Sequence, residues 1–180
     1  MTKIDGLPHE AASEETQELY EMLERKMGKV PNVYQVYGHS SAALKANLLL
    51  DDALSKGLLT GKEIEIVALV VSEFNQCNYC IAAHTLVGKM NGMSEEQTIA
   101  VRTGVYEGKK EQALIDFTQS VLEARGHIKD ADLTNFLAKG YTLGHVVEVI
   151  GQIAKNFFNN YTNHIANTTI DFPEPKSIEV

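Results

Sequence analysis

The sequence predicts an all-α fold, and three observations support that prediction. Proline occurs only at Pro8, Pro31, Pro173 and Pro175, so residues 32–172 lack the residue that is most unfavourable inside a helix. Residues that cap helices and glycines that end them recur along the whole chain. No pair of segments with alternating apolar and polar residues is present to form a β-hairpin.

In the first half of the chain, helix boundaries are predicted from capping residues and glycines. The predicted helices run from Ser13 to Met27 before Gly28, from Ser40 or Ser41 to Gly57, and from Thr60 to about Phe74, with a turn at Val30-Pro31. Thr60 and Glu63 match the T-x-x-E capping box that opens helices. Residues 64–71 are rich in β-branched side chains and are compatible with a buried strand, but the capping box favours a buried helix.

In the second half of the chain, the same signals predict further helices. They run from about Cys77 to Met90, from Ser94 to Thr103, from about Glu111 to Arg125, from Asp130 to Ala138, and from Thr142 to about Ala166. The tail, residues 171–180, contains two prolines and is predicted to be loose or laid on a neighbour. No repeat or linker divides the chain, so residues 1–180 are predicted to form a single domain.

Composition and charge exclude several classes of protein. The 180 residues include 16 Lys and Arg against 24 Asp and Glu, which gives a net charge of −8, and 44% of them are hydrophobic. The acidic balance argues against nucleic-acid binding, and the hydrophobic content excludes a disordered chain. Because no apolar run reaches the roughly 18–20 residues of a membrane span and the start has no signal-peptide pattern, a cytoplasmic protein without a membrane segment is predicted.

The segment 77–84, C-N-Y-C-I-A-A-H, holds the side chains best suited to chemistry. On a helix, Cys77, Cys80 and His84 fall within an arc of roughly 60°, and Cα atoms three residues apart lie about 5 Å apart, close enough for a disulfide. Cys77 is predicted in the first helical turn, where amide groups lower the pKa of a thiol, and His84 can hold or remove the proton. Such a dithiol beside a base reduces peroxides or disulfides in a two-cysteine cycle that needs no metal or flavin.

The residues alone leave alternatives open. Glu65 and Glu73 both lie on the preceding helix, and spacing does not decide which of them is level with His84. Cys77, Cys80 and His84 also supply three of the four ligands that structural zinc requires. Two inert buried cysteines are a further alternative.

The pattern Glu65-x11-Cys77-x2-Cys80-x3-His84 resembles the active-site signature of the AhpD-like superfamily, which includes alkylhydroperoxidase AhpD and the carboxymuconolactone decarboxylase family. The resemblance implies that Cys80 attacks the peroxide as a thiolate and that Cys77 is the more exposed, resolving cysteine. It also implies that His84 and Glu65 relay protons, which selects Glu65 over Glu73. AhpD carries a histidine where Tyr79 stands, so the Tyr79 phenol is a candidate replacement in that relay.

The resemblance covers residues 41–125 as the helical core, followed by C-terminal helices in residues 126–170. The chain end further resembles longer, peroxidase-related members, which makes Asn163 and His164 candidate pocket residues. It implies an AhpD-like helical domain that reduces hydroperoxides in antioxidant defence, with an external thiol or a lipoyl-type protein as reductant. Members associate as trimers or hexamers, so a homo-oligomer is expected, with a contact formed by Phe157, Phe158 and Tyr161.

Two other functions are compatible with the same resemblance. One is a carboxymuconolactone decarboxylase-like lyase, although such decarboxylases lack the paired cysteines. The other is a non-catalytic module that binds a metal or a small molecule. The sequence leaves the identity of the peroxide or disulfide, and of the reductant, undefined.

Overall fold

The structure is a computed structural model that describes residues 3–178. These residues form helices and no strand. A short 3-10 helix at His9–Ala11 is followed by α1 (Glu14–Met27), α2 (Asn32–Tyr37), α3 (Ser41–Ser55), α4 (Gly61–Phe74), α5 (Asn78–Met90), α6 (Glu95–Thr103), α7 (Lys109–Glu123), α8 (Asp130–Ala138) and α9 (Leu143–Ala166). The predicted all-α fold is therefore confirmed.

Capping residues begin the helices where the sequence places them. Ser13, Ser40 and Ser94 each accept a hydrogen bond from a backbone amide in the first turn of their helix. Thr60 and Glu63 form the predicted capping box, in which each side chain bonds the other residue's backbone amide. Residues 64–71 are helical and not a strand, because this box begins a helix that neighbours cover on all sides.

Helix α4 lies at the centre of the main core and packs against α5, α6, α7 and α9. Its side chains Ile66, Val67 and Leu69 are fully buried in a cluster that also includes Phe117 and Phe136. Apolar burial of this kind is the main favourable contribution to folding.

The structure differs from the predicted boundaries at three places. Residues 32–37 form α2, which was not predicted, because six residues are too few to show a helical period. The helix is stabilised by Val33 and Tyr37, which pack into a second core cluster. Helix α7 begins and ends two residues earlier than predicted. Cys77 lies at the N-cap of α5, before the first turn and not in it.

The second core cluster covers the cysteines. It is formed by the buried side chains of α1, α2, α3 and the start of α5, namely Tyr20, Leu23, Val33, Tyr37, Leu44, Cys77, Tyr79 and Cys80. The described part of the predicted loose tail, residues 171–178, has no helix and lies on the chain itself, where Asp171 binds Lys29 and the carbonyl of Lys176 accepts a hydrogen bond from Arg102. Residues 179–180 of that tail lie outside the described residues.

Helix α9 has an inverted distribution of side chains. Its inner face carries buried polar residues, and four buried amides on that face, here called the inner stripe, are Gln152, Asn156, Asn160 and Asn163. Its outer face carries exposed apolar residues, here called the outer stripe, which are Leu143, Val147, Ile150, Phe158, Tyr161 and Ile165. Within residues 3–178, no helix combines the length and the apolar character that crossing a membrane requires.

Candidate active site

The two cysteines form a close pair of free thiols at the start of α5. Cys77 is the N-cap residue, Cys80 lies one turn later, and their sulfur atoms are 2.7 Å apart. Both side chains are buried, with 1% of Cys77 and 3% of Cys80 exposed. Neither cysteine is open to solvent, because helices α1 to α3 cover this end of α5, so the expected exposure of Cys77 is not seen in this structure.

The pair divides its acidity unequally. The sulfurs of Cys77 and Cys80 share a hydrogen bond, and this bond, with the backbone amides of Cys80 and Tyr79 at the helix start, lowers the pKa of Cys77 despite its burial. The pKa of Cys80 is raised well above its usual value by the hydrogen bond that it shares with Cys77, by burial, and by the negative charge that a Cys77 thiolate would place beside it. The first proton therefore leaves Cys77 more readily.

Asn163 of α9 reaches this pair across the core. Its Nδ2 group donates to the sulfur of Cys80 at 3.3 Å, and the Asn163 side chain is 4% exposed. The neighbouring candidate, His164, lies on the outer face of α9, is exposed, and stacks near Tyr161. The expectation that His164 lines the pocket is wrong, since successive helical residues are separated by about 100° and only one of the two can face the sulfurs.

Glu65 and His84 form the second half of the site. The Oε2 atom of Glu65 lies 2.8 Å from Nδ1 of His84, and these side chains are 9% and 17% exposed. Glu73 instead pairs with Arg102 at 2.8 Å. The packing of α4 against α5 thus resolves the alternative that spacing left open, in favour of Glu65.

The imidazole and the sulfurs are neighbours without a direct bond. No hydrogen bond joins His84 to Cys77 or Cys80 among the described residues. Two buried hydroxyl groups without hydrogen-bond partners flank this region. One is Oγ of Ser72, a residue whose backbone carbonyl accepts a hydrogen bond from the Cys77 amide. The other is Oγ1 of Thr85, the residue after His84. Buried polar groups of this kind are the usual ligands of internal water, so the site is suited to a bridging water molecule.

The part of the chain that holds these residues matches a known family. Residues 41–119, which include Glu65, both cysteines and His84, match the carboxymuconolactone decarboxylase family. This part of the chain is therefore similar to that family. Among curated proteins, none matches the sequence.

Solved structures show the same AhpD-like fold at low sequence identity. An uncharacterized peroxidase-related protein from Ralstonia eutropha JMP134 with an AhpD core is 21% identical, with a TM-score of 0.86 over 94% of this chain and 92% of that one. A peroxidase-related protein from Silicibacter sp. TM1040 is 24% identical, with a TM-score of 0.76 over 96% and 95% of the two chains. The debrominase Bmp8, in complex with 2,3,4-tribromopyrrole, is 16% identical, with a TM-score of 0.78 over 95% and 92%.

Tyr79 has a different place in this site from the one expected. Its hydroxyl donates to Oδ1 of Asp171 at 2.7 Å and accepts from the Val33 amide at 3.2 Å, so it points away from the sulfurs. Burial raises the pKa of the Tyr79 hydroxyl, and the hydrogen bond to Asp171 raises it further. Tyr79 therefore anchors the tail and is not positioned for the proton relay.

A cavity of about 460 Å³ lies beside the start of α5, between that helix and the tail. Asn78, Ile81, Arg102 and Phe172 are among the residues that line it. Asn78 directly follows Cys77 and Ile81 directly follows Cys80, so the cavity lies beside the segment that carries the dithiol. Within residues 3–178, no group of three or more His, Cys, Asp or Glu side chains is arranged to hold a metal ion.

Proposed function

We propose that the protein is a thiol-dependent oxidoreductase that reduces hydroperoxides, or disulfides, through a dithiol and disulfide cycle. The observation that supports this proposal best is the pair of free thiols 2.7 Å apart at a helix start, next to a hydrogen-bonded Glu65–His84 pair. Two sulfurs at this distance require little movement to form a disulfide, and the helix start favours a thiolate.

The first step is formation of the attacking thiolate. In the reduced pair, the Cys77 thiol donates toward the sulfur of Cys80. Transfer of the Cys80 proton to His84 through a bridging water leaves a thiolate on Cys80, to which the Cys77 thiol and the Asn163 amide both donate. The site thus offers two features with opposite consequences: the lower pKa favours a thiolate on Cys77, whereas the Asn163 amide stabilises one on Cys80. We assign the attack to Cys80, because its sulfur is the one that the polar side of α9 reaches.

The second step breaks the peroxide. The Cys80 sulfur gives two electrons to the nearer peroxide oxygen, so that the O–O bond breaks, an S–O bond forms, and Cys80 becomes a sulfenic acid. The leaving oxygen takes a proton from His84 through a bridging water and departs as water or an alcohol. The Glu65 carboxylate orients the imidazole and stabilises its charged form.

The third step closes and then restores the cycle. The sulfur of Cys77 attacks that of Cys80, an S–S bond forms, and the sulfenic oxygen leaves as water. Two electrons and two protons from an external thiol or a lipoyl-type protein return both thiols. The cavity beside Asn78 supports this proposal, since it gives a reductant a route to the Cys77 end of the pair.

Thiol titration of the two single variants tests the proposal. The wild-type protein is expected to lose both free thiols after about one equivalent of hydroperoxide and to regain them with dithiothreitol. Cys80→Ser should consume no peroxide, whereas Cys77→Ser should react once and retain a sulfenic acid that dimedone labels. Labelling of Cys77 in the Cys80→Ser variant instead would reverse the two roles. Unchanged turnover in both variants would refute the cycle.

Parallel assays separate this function from its alternatives. Stoichiometric zinc with unreactive thiols would favour the binding module, and release of carbon dioxide from a carboxymuconolactone would favour the lyase. The fold is similar to that of a debrominase. Incubation of the reduced protein with 2,3,4-tribromopyrrole therefore tests whether the dithiol also reduces a halogenated ring.

We also propose that the protein is a homo-oligomer, a trimer or hexamer, of the cytoplasm. The outer stripe of α9 supports the homo-oligomer, because its apolar side chains are 41% to 69% exposed along one face of a 24-residue helix. The close pair of free thiols supports the cytoplasmic location, since thiols stay reduced in reducing compartments. Sedimentation of Val147→Glu with Ile150→Glu should give monomers, and a wild-type monomer would contradict the assembly.

A further inference from the structure

The inner stripe of α9 carries a row of buried amide atoms that have no hydrogen-bond partner. The residues follow one another at intervals of four, four and three, which places them on one helix face. The atoms without partners are Oε1 of Gln152, Oδ1 of Asn156, Nδ2 of Asn160 and Oδ1 of Asn163. Each of these side chains is 4% exposed or less.

The other atom of three of these amides is bonded, so the side chains are held in place. Asn156 Nδ2 donates to the Gln152 carbonyl at 2.9 Å, and Asn160 Oδ1 accepts from Asn75 at 2.8 Å. Asn163 Nδ2 donates to the sulfur of Cys80. The free atoms of the row therefore have fixed positions, and they cannot all pair with one another, because three of the four are acceptors.

An unbonded polar atom in a protein interior carries the full cost of its desolvation. A row of four such atoms on one face is accounted for by small polar molecules that bridge them, and buried water usually makes about three hydrogen bonds of this kind. Hydrogen peroxide resembles water in size and has two hydroxyl donors. It can therefore occupy the same positions.

The row has one end at the sulfurs and the other near the surface. Asn163 contacts Cys80, and Gln152 lies eleven residues earlier in α9, about 16 Å away along the helix axis. Next to Gln152 on the inner face, Lys155 reaches Asp51 of α3 at 2.8 Å, and the Asp51 side chain is 37% exposed. The row thus connects a partly exposed ion pair with the reactive thiol.

We propose that the inner stripe binds a file of water molecules and that the same file admits hydrogen peroxide to Cys80 while excluding bulky alkyl hydroperoxides. This inference rests on the proposed peroxide reduction and adds to it the class of substrate, a small and hydrophilic peroxide. All four amides are closed off from the surface, so a peroxide that follows the row has to be small and polar. The Cys80 thiolate attacks one oxygen of the hydrogen peroxide, an S–O bond forms as the O–O bond breaks, and the other oxygen departs as hydroxide, which His84 protonates to water.

A crystal structure of the reduced wild-type protein at about 1.5 Å resolution tests the binding part without any assay of activity. Ordered water molecules bonded to Gln152 Oε1, Asn156 Oδ1 and Asn163 Oδ1 are expected. A dry row, with these atoms packed against apolar groups or bonded to other side chains, would overturn the inference even in a protein that reduces peroxides. The structure thereby separates failure of this inference from failure of the proposed function.

Rates of thiol oxidation test the delivery part. Asn156→Leu interrupts the row at a residue that does not touch either sulfur, and it should slow oxidation by hydrogen peroxide about tenfold. The rate with cumene hydroperoxide, already lower in the wild type, should change little. His164→Leu makes the same kind of substitution on the outer face of α9 and should leave both rates unchanged.

Stability measurements keep this test decisive. Leucine has the branched shape of asparagine but a larger volume, so overpacking offsets the removal of an unpaired oxygen, and the midpoint of thermal unfolding of Asn156→Leu should change little. If that variant fails to fold, Gln152→Met provides the same interruption one turn further from the sulfurs. An equal loss of rate with both peroxides, or no loss with hydrogen peroxide, would overturn delivery through the inner stripe.

Discussion

Helices α4 and α9 both cross the interior of the protein, and they are buried in opposite ways. Residues 63–72 of α4 are all buried, and Ile66, Val67 and Leu69 are completely inaccessible. Helix α9 instead turns amides inward and apolar side chains outward. Apolar burial stabilises the fold, whereas buried amides cost free energy unless they are bonded. Helix α4 is therefore built for stability, and α9 has features that stability alone does not explain.

The two helices also contribute differently to the candidate site. The apolar helix α4 contributes one catalytic candidate, Glu65, held beside His84 by close packing against α5. Helix α9 contributes Asn163, whose amide reaches the sulfur of Cys80. Proteins commonly depart from ideal patterning where function requires it, and the inner stripe is such a departure.

The largest effect on stability is expected in α4. Leu69→Ala removes a fully buried side chain from the main core and should lower the free energy of unfolding by about 2–5 kcal/mol. Urea unfolding followed by circular dichroism measures this loss. Because Leu69 does not touch the sulfurs, the rate of thiol oxidation at low temperature should be unchanged.

A decrease of less than about 1 kcal/mol in the free energy of unfolding of Leu69→Ala would contradict the view that α4 is the stabilising helix of the two. Truncation of a buried apolar side chain normally causes a larger decrease. Exposed Leu49 of α3 gives the matched control, since Leu49→Ala removes the same atoms where they are 61% exposed. That control should unfold nearly as the wild type does.

The next effect is expected in α9, on reactivity and not on stability. Asn163→Leu removes the amide that donates to Cys80, so in a Cys77→Ser background the pKa of the remaining thiol should rise and its oxidation near pH 7 should slow about tenfold. Absorbance of the thiolate at 240 nm during a pH titration measures the shift. A rise in pKa in the His164→Leu control would show that the effect does not come from the amide.

The same contrast shows how much could be predicted from the sequence. The capping box of α4 and the helical spacing of Cys77 and Cys80 are local patterns, and both were predicted correctly. The position of α9 was also predicted, but which of its faces is buried depends on the rest of the fold. Asn163 and His164 were equal candidates in the sequence, and tertiary packing places only Asn163 at the sulfurs.

Other parts of the site depended on distant partners that no local pattern reveals. Glu65 and Glu73 differ because Arg102, on α6, pairs with Glu73. Tyr79 faces away from the sulfurs because Asp171, far along the chain, accepts its hydrogen bond. The row of unpaired amides was not predicted either, although its regular spacing of polar residues in a helix that is otherwise apolar is a signal that could have indicated it.

A smaller effect on stability is expected at the start of α4. Thr60→Ala removes one half of the capping box and should cost about 1 kcal/mol in the free energy of unfolding. Thr60→Ser keeps the hydroxyl and should restore most of that loss. If the alanine and serine variants were equally unstable, the hydroxyl would have no capping role, and the stability of α4 would come from packing alone.

The last effect concerns the charge of Glu63, the other half of that box, which contributes to stability at neutral pH and is lost in acid. Burial opposes the charge of Glu63, but hydrogen bonds from Lys110 and Thr60 outweigh it and lower the pKa of Glu63 to about 2. A carboxyl group with a lowered pKa contributes stability above its ordinary pKa of 4.5, and this contribution is lost as the pH falls through about 2. The midpoint of thermal unfolding should therefore fall over this window in the wild type and less steeply in Glu63→Gln, which has no charge to lose. If the midpoint of unfolding depended on pH in the same way in both proteins, the buried charge at the start of α4 would contribute nothing to stability.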